Sequence, residues 1–450
     1  MGRLFGTDGV RGIANLEITP ELAFKLGKAG AYTLSREEER PMVIIGKDTR
    51  ISGDMLEDAI SAGILAMGGN IMKVGVLPTP AIAFLVRHMK ASAGVVISAS
   101  HNPFEYNGIK LFNGEGFKLD DHIEDKIEDI ILRDMDLNSH ITGDKLGKSL
   151  VAEDDALSLY AEFLTSTIDV DIEGMKLVID CANGAAYKVA KRVFKDILKA
   201  DGIFIGDKPD GTNINDNCGS TYPQALIERV LAEKAHMGLA FDGDADRLIA
   251  VDEKGQIVDG DKMLYICAKM LKEKGKLADN RVVATVMSNL GFHKAMEGAG
   301  CRVEVTQVGD RYVLENMLKT GSVIGGEQSG HIIFLDYNTT GDGILSALQL
   351  LQAVKYSGRA LSELADSMKV YPQVLRNAHV SNGNKNKYMD DPDIAYEIKR
   401  VEESMAGEGR VLIRPSGTEP LIRVMIEGED QVRITDLAEG LVSLITKKMG

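Results

Sequence analysis

Cysteine is scarce in this 450-residue chain: there are four, Cys181, Cys218, Cys267 and Cys301, and no Cys-x-x-Cys pair. Residues so far apart offer neither a zinc site nor a disulfide framework, and they fit a reducing compartment. Long apolar runs are missing as well. None approaches the ~20 residues that cross a bilayer, and the first residues pass from Met1 to Gly6 straight into a polar turn, so no membrane partner and no secretory leader are expected. Positive charge is in deficit: 52 Lys and Arg against 67 Asp and Glu leave a net charge of −15. A nucleic-acid binder needs a basic face to neutralise phosphates, whereas a small anion needs only a few local cations. These absences point to a cytoplasmic protein with a small-molecule ligand, no nucleic-acid partner and no membrane partner.

What is present is ordinary globular composition, 44% hydrophobic and 26% charged, in a chain long enough for three or four domains of about 100–150 residues. Strand and helix patterns alternate. Met42 to Asp48, Ile71 to Leu77 and Ala93 to Ser98 read as strands, with helices from Asp54 to Met67 and from Pro80 to Met89. The acidic stretch from Asp120 to Asp155 reads as a connection. A second round runs from Lys176 to Phe241, with Ala185 to Leu198 as one helix. A third begins at the strand Leu248 to Asp252 and is completed by Gly325 to Leu335 and a helix from Gly343 to Lys355. After Ser357-Gly358-Arg359 the pattern changes to that of a separate α+β domain. The fold class expected is α/β: three similar mixed α/β blocks, an internal triplication read from pattern alone, and a C-terminal α+β domain.

Four loops carry candidate chemistry. Gly94 to Phe112 opens as a buried strand and empties into Ser98-Ala99-Ser100-His101-Asn102, which sets a hydroxyl beside an imidazole where α/β sheets present reactive groups. Asp242-Gly243-Asp244-Ala245-Asp246-Arg247 follows an apolar strand. Three carboxylates at alternate positions repel one another unless a hard cation joins them. An EF-hand needs Gly where Arg247 stands. An aspartate-nucleophile phosphatase, with Asp242 as phosphoryl acceptor, stays open at this point. Gly325-Gly326-Glu327-Gln328-Ser329-Gly330-His331 combines groups able to hydrogen-bond a sugar with a proton-transfer candidate, His331. Arg414-Pro415-Ser416-Gly417-Thr418-Glu419-Pro420, with Arg423 nearby, offers two guanidinium groups, two hydroxyls and backbone N–H groups to a phosphate. Arg11, in the glycine-rich turn Gly6–Gly12, is a further anion ligand. Gly147-Lys148-Ser149 is not a P-loop, because Thr142 stands where the first glycine is required. Metal plus arginines around a phosphoryl group is the electrostatic arrangement for phosphoryl transfer.

The motifs FGTDGVRG (Phe5–Gly12), SASHNP (Ser98–Pro103), DGDADR (Asp242–Arg247), VGDRYVLE (Val308–Glu315), GGEQSGH (Gly325–His331) and RPSGTEPLIRV (Arg414–Val424) run end to end. In this order they resemble the α-D-phosphohexomutase superfamily. The resemblance implies four domains around a central active-site cleft, here 1–150, 151–252, 253–366 and 367–450, in a monomer or homodimer. It implies that Ser100 is phosphorylated and that Ser100, Asp242, Asp244 and Asp246 bind one Mg²⁺. His101, Lys110 and His331 become the proton-transfer candidates, with Arg11, Arg247 and Arg311 for charge. Glu327, Gln328 and Ser329 would read the sugar, and Arg414, Ser416, Gly417, Thr418 and Arg423 would hold the phosphate that is not transferred. Gln328 matches the form acting on glucosamine 6-phosphate. That implies a glucosamine 1,6-bisphosphate intermediate and a product feeding UDP-N-acetylglucosamine synthesis; mannose or glucose phosphates are the alternative substrates. Ala245 and Asn183 depart from the commoner Gly and His of the family and leave the metal ligands intact.

Overall fold

The computed structural model describes residues 4–6, 8–34, 40–135, 137, 141–381, 383–405, 407–416 and 419–450. It divides into two compact units, Met1–Met287 with Cys301–Asp366, and Ser288–Gly300 with Ser367–Gly450. Among the described residues no helix is long and apolar enough to cross a membrane.

The first unit is built on three mixed sheets flanked by helices. The six-stranded sheet runs in the order Val10–Ile13, Tyr106–Asn113, Ala93–Ile97, Met42–Lys47, Asn70–Val76, Ser149–Val151. Its strands are parallel from Ala93–Ile97 to Ser149–Val151, and Tyr106–Asn113 returns antiparallel against Ala93–Ile97. Every residue of Ala93–Ile97 is buried, as its unbroken apolar run requires for a central strand covered on both faces. Helices Pro20–Leu34 and Gly53–Ala66 cover one face. They approach so closely at Gly27 and Gly63 that a Cβ on either would come within 2.3 Å of a backbone oxygen of the other helix.

The second sheet has the order Ile257–Val258, Leu248–Asp252, Met237–Phe241, Lys176–Asp180, Asp201–Ile205, and the third Arg302–Thr306, Arg281–Thr285, Ile324–Gly326, Ile332–Phe334. One device recurs in all three. A buried strand turns back into an antiparallel neighbour, and the connecting loop carries the chemistry: Ile97 to Tyr106, Phe241 to Leu248, Gly326 to Ile332.

The second unit is an antiparallel sheet with Leu421–Gly428 between Gln373–His379 and Gly409–Pro415. Its core is Val374, Val424 and Ile426 packed on Ile434, Leu441 and Ile445 of the helix Gln431–Met449. Buried Glu427 takes the Arg410 guanidinium at 2.5 Å and the Leu290 N–H at 3.1 Å, fastening the start of helix Leu290–Gly298 to this sheet.

The structure corrects several sequence expectations. The stretch read as a connection holds helix Asp121–Leu132 and edge strand Ser149–Val151, and helix Glu153–Thr165 begins within it. Its acidity hides an apolar stripe, Ile127, Ile130 and Ile131, that reaches the core. Ala185 to Leu198 is not one α-helix: Ala186–Ala190 passes into a wider π-type turn over Lys191–Ile197. Leu248–Asp252 does not open the third block but completes the second sheet. Gly325 to Leu335, given no element type by the sequence pattern, holds the hairpin of Ile324–Gly326 with Ile332–Phe334. Helix Pro20–Leu34 stands in a stretch the sequence pattern left unread.

Candidate active site

Ser100 sits on the first of these hairpin loops with a left-handed backbone, φ 51°. This conformation swings its side chain toward the second sheet. Its Oγ donates to Asp242 Oδ2 at 2.7 Å and lies 3.3 Å from His101 Nδ1. The loop is strung on the buried Asp48–Arg50 pair, 2.9 Å apart. Asp48 accepts the Ser98 hydroxyl at 2.6 Å, and the Ser98 hydroxyl accepts the Ser100 N–H at 3.0 Å.

Asp242, Asp244 and Asp246 fill the turn after Met237–Phe241. All three are buried, and one oxygen from each lies within 4.8 Å of the others. Ala245, also left-handed at φ 54°, lets the turn curl so that the three alternate side chains converge. Burial, reinforced by Asp246 and Asp244, pushes the Asp242 carboxyl well above the usual carboxylate range. Asp244 Oδ1 and Asp246 Oδ1 are buried without a hydrogen-bond partner among the described residues. Crowded anionic oxygens with vacant lone pairs are the donor set of a hard divalent cation, so the residues present fit one.

A chain of buried charges surrounds this cluster. Lys110 Nζ stands 2.9 Å from Asp244 Oδ2, 2.9 Å from Asp8 Oδ2 and 3.9 Å from Asp246 Oδ2. Burial works against its charge, but these carboxylates outweigh it and hold the ammonium far above its ordinary pKa. Asp8 in turn meets Arg11 and Lys118, and Lys118 reaches Asp310 at 2.5 Å. His331 closes the circuit, Nδ1 at 3.6 Å from Asp246 and Nε2 at 3.7 Å from Asp310. Burial alone would depress the imidazole; Asp246 and Asp310 reverse that, and His331 titrates above the ordinary value. His101 goes the other way, lowered by burial and by the guanidinium groups of Arg247 and Arg11. The two imidazoles are thus shifted in opposite directions by their surroundings.

A cavity of about 540 Å³ opens on this assembly, lined by Arg11, His101, Asp246, Arg247, Glu327 and His331 among others. Glu327 is held by the Gly309 N–H at 3.1 Å, and Gln328 donates to Asp259 at 3.3 Å; Ser329 is exposed. Arg311 stands apart from this cavity. It pairs with Asp121 at 2.6 Å and Glu315 at 3.0 Å and lines a neighbouring cavity of about 390 Å³. In the second unit Arg414 lies directly opposite Arg423 across the hairpin, with Ser416 beyond it. Gly417 and Thr418, like Thr7 of the first motif, lie outside the described residues.

Sequence reasoning did not single out Asp8, Asp48, Arg50, Thr79, Lys118, Asn215 or Asp310. Thr79 donates to Asp244 Oδ2 at 2.6 Å. Asp8 and Asp310 fall inside the glycine-rich motifs and were within reach. The rest act across large separations in the chain, which no local pattern signals.

Four family models of phosphoglucomutase/phosphomannomutase match along most of the chain: α/β/α domain I over residues 2–137, domain II over 158–255, domain III over 259–371 and the C-terminal domain over 375–444. The chain belongs to this family of phosphohexomutases. A phosphoglucosamine mutase of Clostridium acetobutylicum is 56% identical over 448 residues and all of both chains. Within the family the chain groups with the phosphoglucosamine mutases. Among solved structures, a phosphoglucomutase/phosphomannomutase family protein of Burkholderia thailandensis superposes with a TM-score of 0.82 at 23% identity, over 100% of this chain and 98% of its own. An Aspergillus fumigatus N-acetylphosphoglucosamine mutase, solved with GlcNAc-6P and magnesium, superposes with a TM-score of 0.69 at 17% identity, over 99% and 96%.

Proposed function

We propose that this protein interconverts glucosamine 6-phosphate and glucosamine 1-phosphate, with the phosphoryl group carried on Ser100 and glucosamine 1,6-bisphosphate as the bound intermediate. One observation carries the reading: the Ser100 hydroxyl is 2.7 Å from Asp242 inside a buried three-carboxylate cluster, in a chain 56% identical to phosphoglucosamine mutases. In the first transfer the Ser100 Oγ–P bond breaks as a bond from phosphorus to the sugar 1-hydroxyl oxygen forms, and the hydroxyl proton passes to a protein base. The bisphosphate turns about in the site. In the second transfer the bond between the 6-oxygen and phosphorus breaks, Ser100 is rephosphorylated, and a proton returns to the sugar.

The chain's own residues divide this work. Arg247 and Arg11 line the cavity where the transferring oxygens would lie, and fixed cations there stabilise the transition-state charge. Lys110, held as an ammonium by the carboxylates around it, suits charge stabilisation. His101, beside Ser100 and lowered in pKa by burial and the nearby guanidinium groups, suits proton acceptance, and His331, raised by Asp246 and Asp310, suits proton donation. Asp242, Asp244 and Asp246, with an oxygen of the Ser100 phosphate, would hold Mg²⁺, which supplies neutralisation of the phosphoryl charge when bound. Glu327 offers a carboxylate to an ammonium at C2, and Arg414, Ser416 and Arg423 are assigned to the phosphate that stays. The work follows four domains, 1–150, 151–252, 253–366 and 367–450, each supplying one hairpin loop.

The test is kcat/KM on glucosamine 6-phosphate, mannose 6-phosphate and glucose 6-phosphate, with Mg²⁺, a 1,6-bisphosphate primer and Ser100→Ala as control. The expected result is a preference of about tenfold or more for the amino sugar, about 1.4 kcal/mol of transition-state discrimination, and no turnover by Ser100→Ala. Equal turnover of mannose 6-phosphate would keep the chemistry and overturn the sugar. Full activity in Ser100→Ala would overturn the phosphoserine.

A further inference from the structure

We propose that Asn215 is a positioning residue for phosphoryl transfer. With Arg50 it clamps the backbone of the Ser100 loop, and it does so from a different sheet. This rests on the reading of Ser100 as the phosphoryl carrier.

The carbonyl oxygens of Ser100 and Asn102 each accept two hydrogen bonds from the same pair of donors. Arg50 Nη2 donates at 2.9 and 2.8 Å, and Asn215 Nδ2 at 2.9 and 3.1 Å. Arg50 belongs to the first sheet region and has further work there: its Nη1 reaches the Tyr106 carbonyl at 3.0 Å and also meets that of Pro103, while its Nε holds Asp48. Asn215 comes from the loop after strand Asp201–Ile205 in the second sheet region. Its own backbone is left-handed, φ 59°, and its N–H is tied to the Ala182 carbonyl at 2.9 Å. Two further bonds join the Arg50 segment to this second sheet region, Ile51 N–H to Gly211 O at 2.9 Å in the Asn215 loop and Thr49 Oγ1 to Asn183 O at 2.5 Å in the turn after Lys176–Asp180.

The clamp has a chemical consequence. A phosphoryl group on Ser100 Oγ carries nearly two negative charges. A carbonyl facing it with free lone pairs would repel it; with both carbonyls saturated by donors, their negative ends are occupied and held away. The clamp also sets the distance to the carboxylates. Gly243, between Asp242 and Asp244, packs so tightly here that a Cβ on it would lie 2.5 Å from the Ser100 carbonyl oxygen and 2.8 Å from Asn215 Nδ2. The amide is aimed for this purpose and not for its own satisfaction, since its Oδ1 is buried with no hydrogen-bond partner among the described residues, a condition that is costly and rare.

Asn215→Ala removes the donor, and the isosteric Asn215→Asp replaces it with a repelling oxygen. We expect kcat to fall about 10-fold in the first and about 100-fold in the second, with KM for glucosamine 6-phosphate within about twofold of wild type. Folding is checked by circular dichroism, and if Asn215→Ala does not fold, Asn215→Asp decides. A folded variant with kcat within twofold of wild type, or a loss expressed wholly in KM, overturns the positioning role. Intact mass of wild type and Ser100→Ala separates the two readings. No phosphate on wild-type Ser100 sinks the phosphoserine and the clamp with it. Phosphate on Ser100 together with normal turnover by the variants sinks the clamp alone.

Discussion

In the first unit Lys110 lies among Asp8, Asp244 and Asp246, and Lys118 between Asp8 and Asp310. In the second unit Arg414 faces Arg423 directly across an antiparallel pair. Like charges so placed destabilise a hairpin. Burial and Arg423 together lower the Arg414 pKa from its ordinary value. Arg423 has Glu419 at 3.3 Å, while Arg414 has no ion pair among the described residues. The lysines of the first region are paired within the fold before any ligand arrives, and what is left open there is a set of carboxylate oxygens for a cation. Charge in the second is left over, and an anion is what relieves it. Substitutions should therefore cost turnover in the first region and binding in the second.

The largest effect is expected at Asp244. Asp244→Asn deletes one anion from the cation-binding set and one partner of both Lys110 and Thr79. We expect kcat/KM to fall about 1,000-fold, about 4 kcal/mol, with the Mg²⁺ concentration for half-maximal rate moved sharply upward. Activity assayed across a Mg²⁺ titration checks this, and wild-type turnover at limiting Mg²⁺ would break the comparison on its first side.

The second side is probed by Arg414→Ala. Loss of a charge-assisted contact to phosphate predicts a fall in kcat/KM of about 10- to 100-fold, about 1.4–2.8 kcal/mol, carried mostly by KM. Thermal stability should hold or rise, because Arg423 loses a like-charged neighbour. A melting temperature several degrees lower would show that the pair is structural and that the contrast between the regions is false.

The chemistry-bearing loops were legible in the sequence, though not as hairpins, because each is local: an apolar strand, then a short run of small and functional residues. The alternating carboxylates of Asp242–Asp246 predicted their own convergence, and the structure places them together. The clamp and the charge chain were illegible for a physical reason. Arg50 meets the Ser100 loop 50 residues away in the chain, Asn215 meets it 115 residues away, and Lys118 meets Asp310 across 192 residues. Only tertiary packing brings such partners together, and each alone reads as an ordinary polar residue. The helix Asp121–Leu132 was missed for the opposite reason: its acidic face dominated a stripe of isoleucines that does face the core.

Internal balance in the first unit is incomplete at Asp342, which sharpens the comparison through pH. Its carboxylate caps helix Gly343–Ser357 through the Leu345 N–H at 3.0 Å and accepts the Tyr160 hydroxyl at 2.8 Å, yet burial lifts its pKa to about 6. A carboxyl whose folded pKa stands above its unfolded value of about 3.9 holds its proton more tightly when folded. The contribution of Asp342 to stability should therefore fall as pH rises from about 4 to about 6, by at most about 3 kcal/mol. Asp342→Asn has no charge to bury. Its stability relative to wild type should climb through that window and level off above it, as read from urea midpoints at acid and neutral pH. An equal difference at both pH values would mean that the Asp342 pKa is not raised on folding and would overturn the burial argument.

The smallest effect is expected at Ala245, inside the carboxylate turn itself. A left-handed alanine is strained by about 1–2 kcal/mol relative to glycine, so Ala245→Gly should relieve strain. Two terms oppose the gain. Glycine makes the unfolded chain more flexible, which costs about 0.4–1 kcal/mol, and a fully buried methyl forfeits about 0.8 kcal/mol of burial. The sum is near zero, so stability should change by less than about 1 kcal/mol and kcat by less than about twofold. That outcome would explain how alanine is tolerated at the tightest point of the site: the turn is held by its neighbours, through the Ala245 N–H to the Asp242 carbonyl at 3.0 Å and the Gly343 N–H to the Ala245 carbonyl at 2.9 Å. A rise in kcat of fivefold or more would mean instead that strain in this turn limits phosphoryl transfer, and that the balanced region still has slack to give.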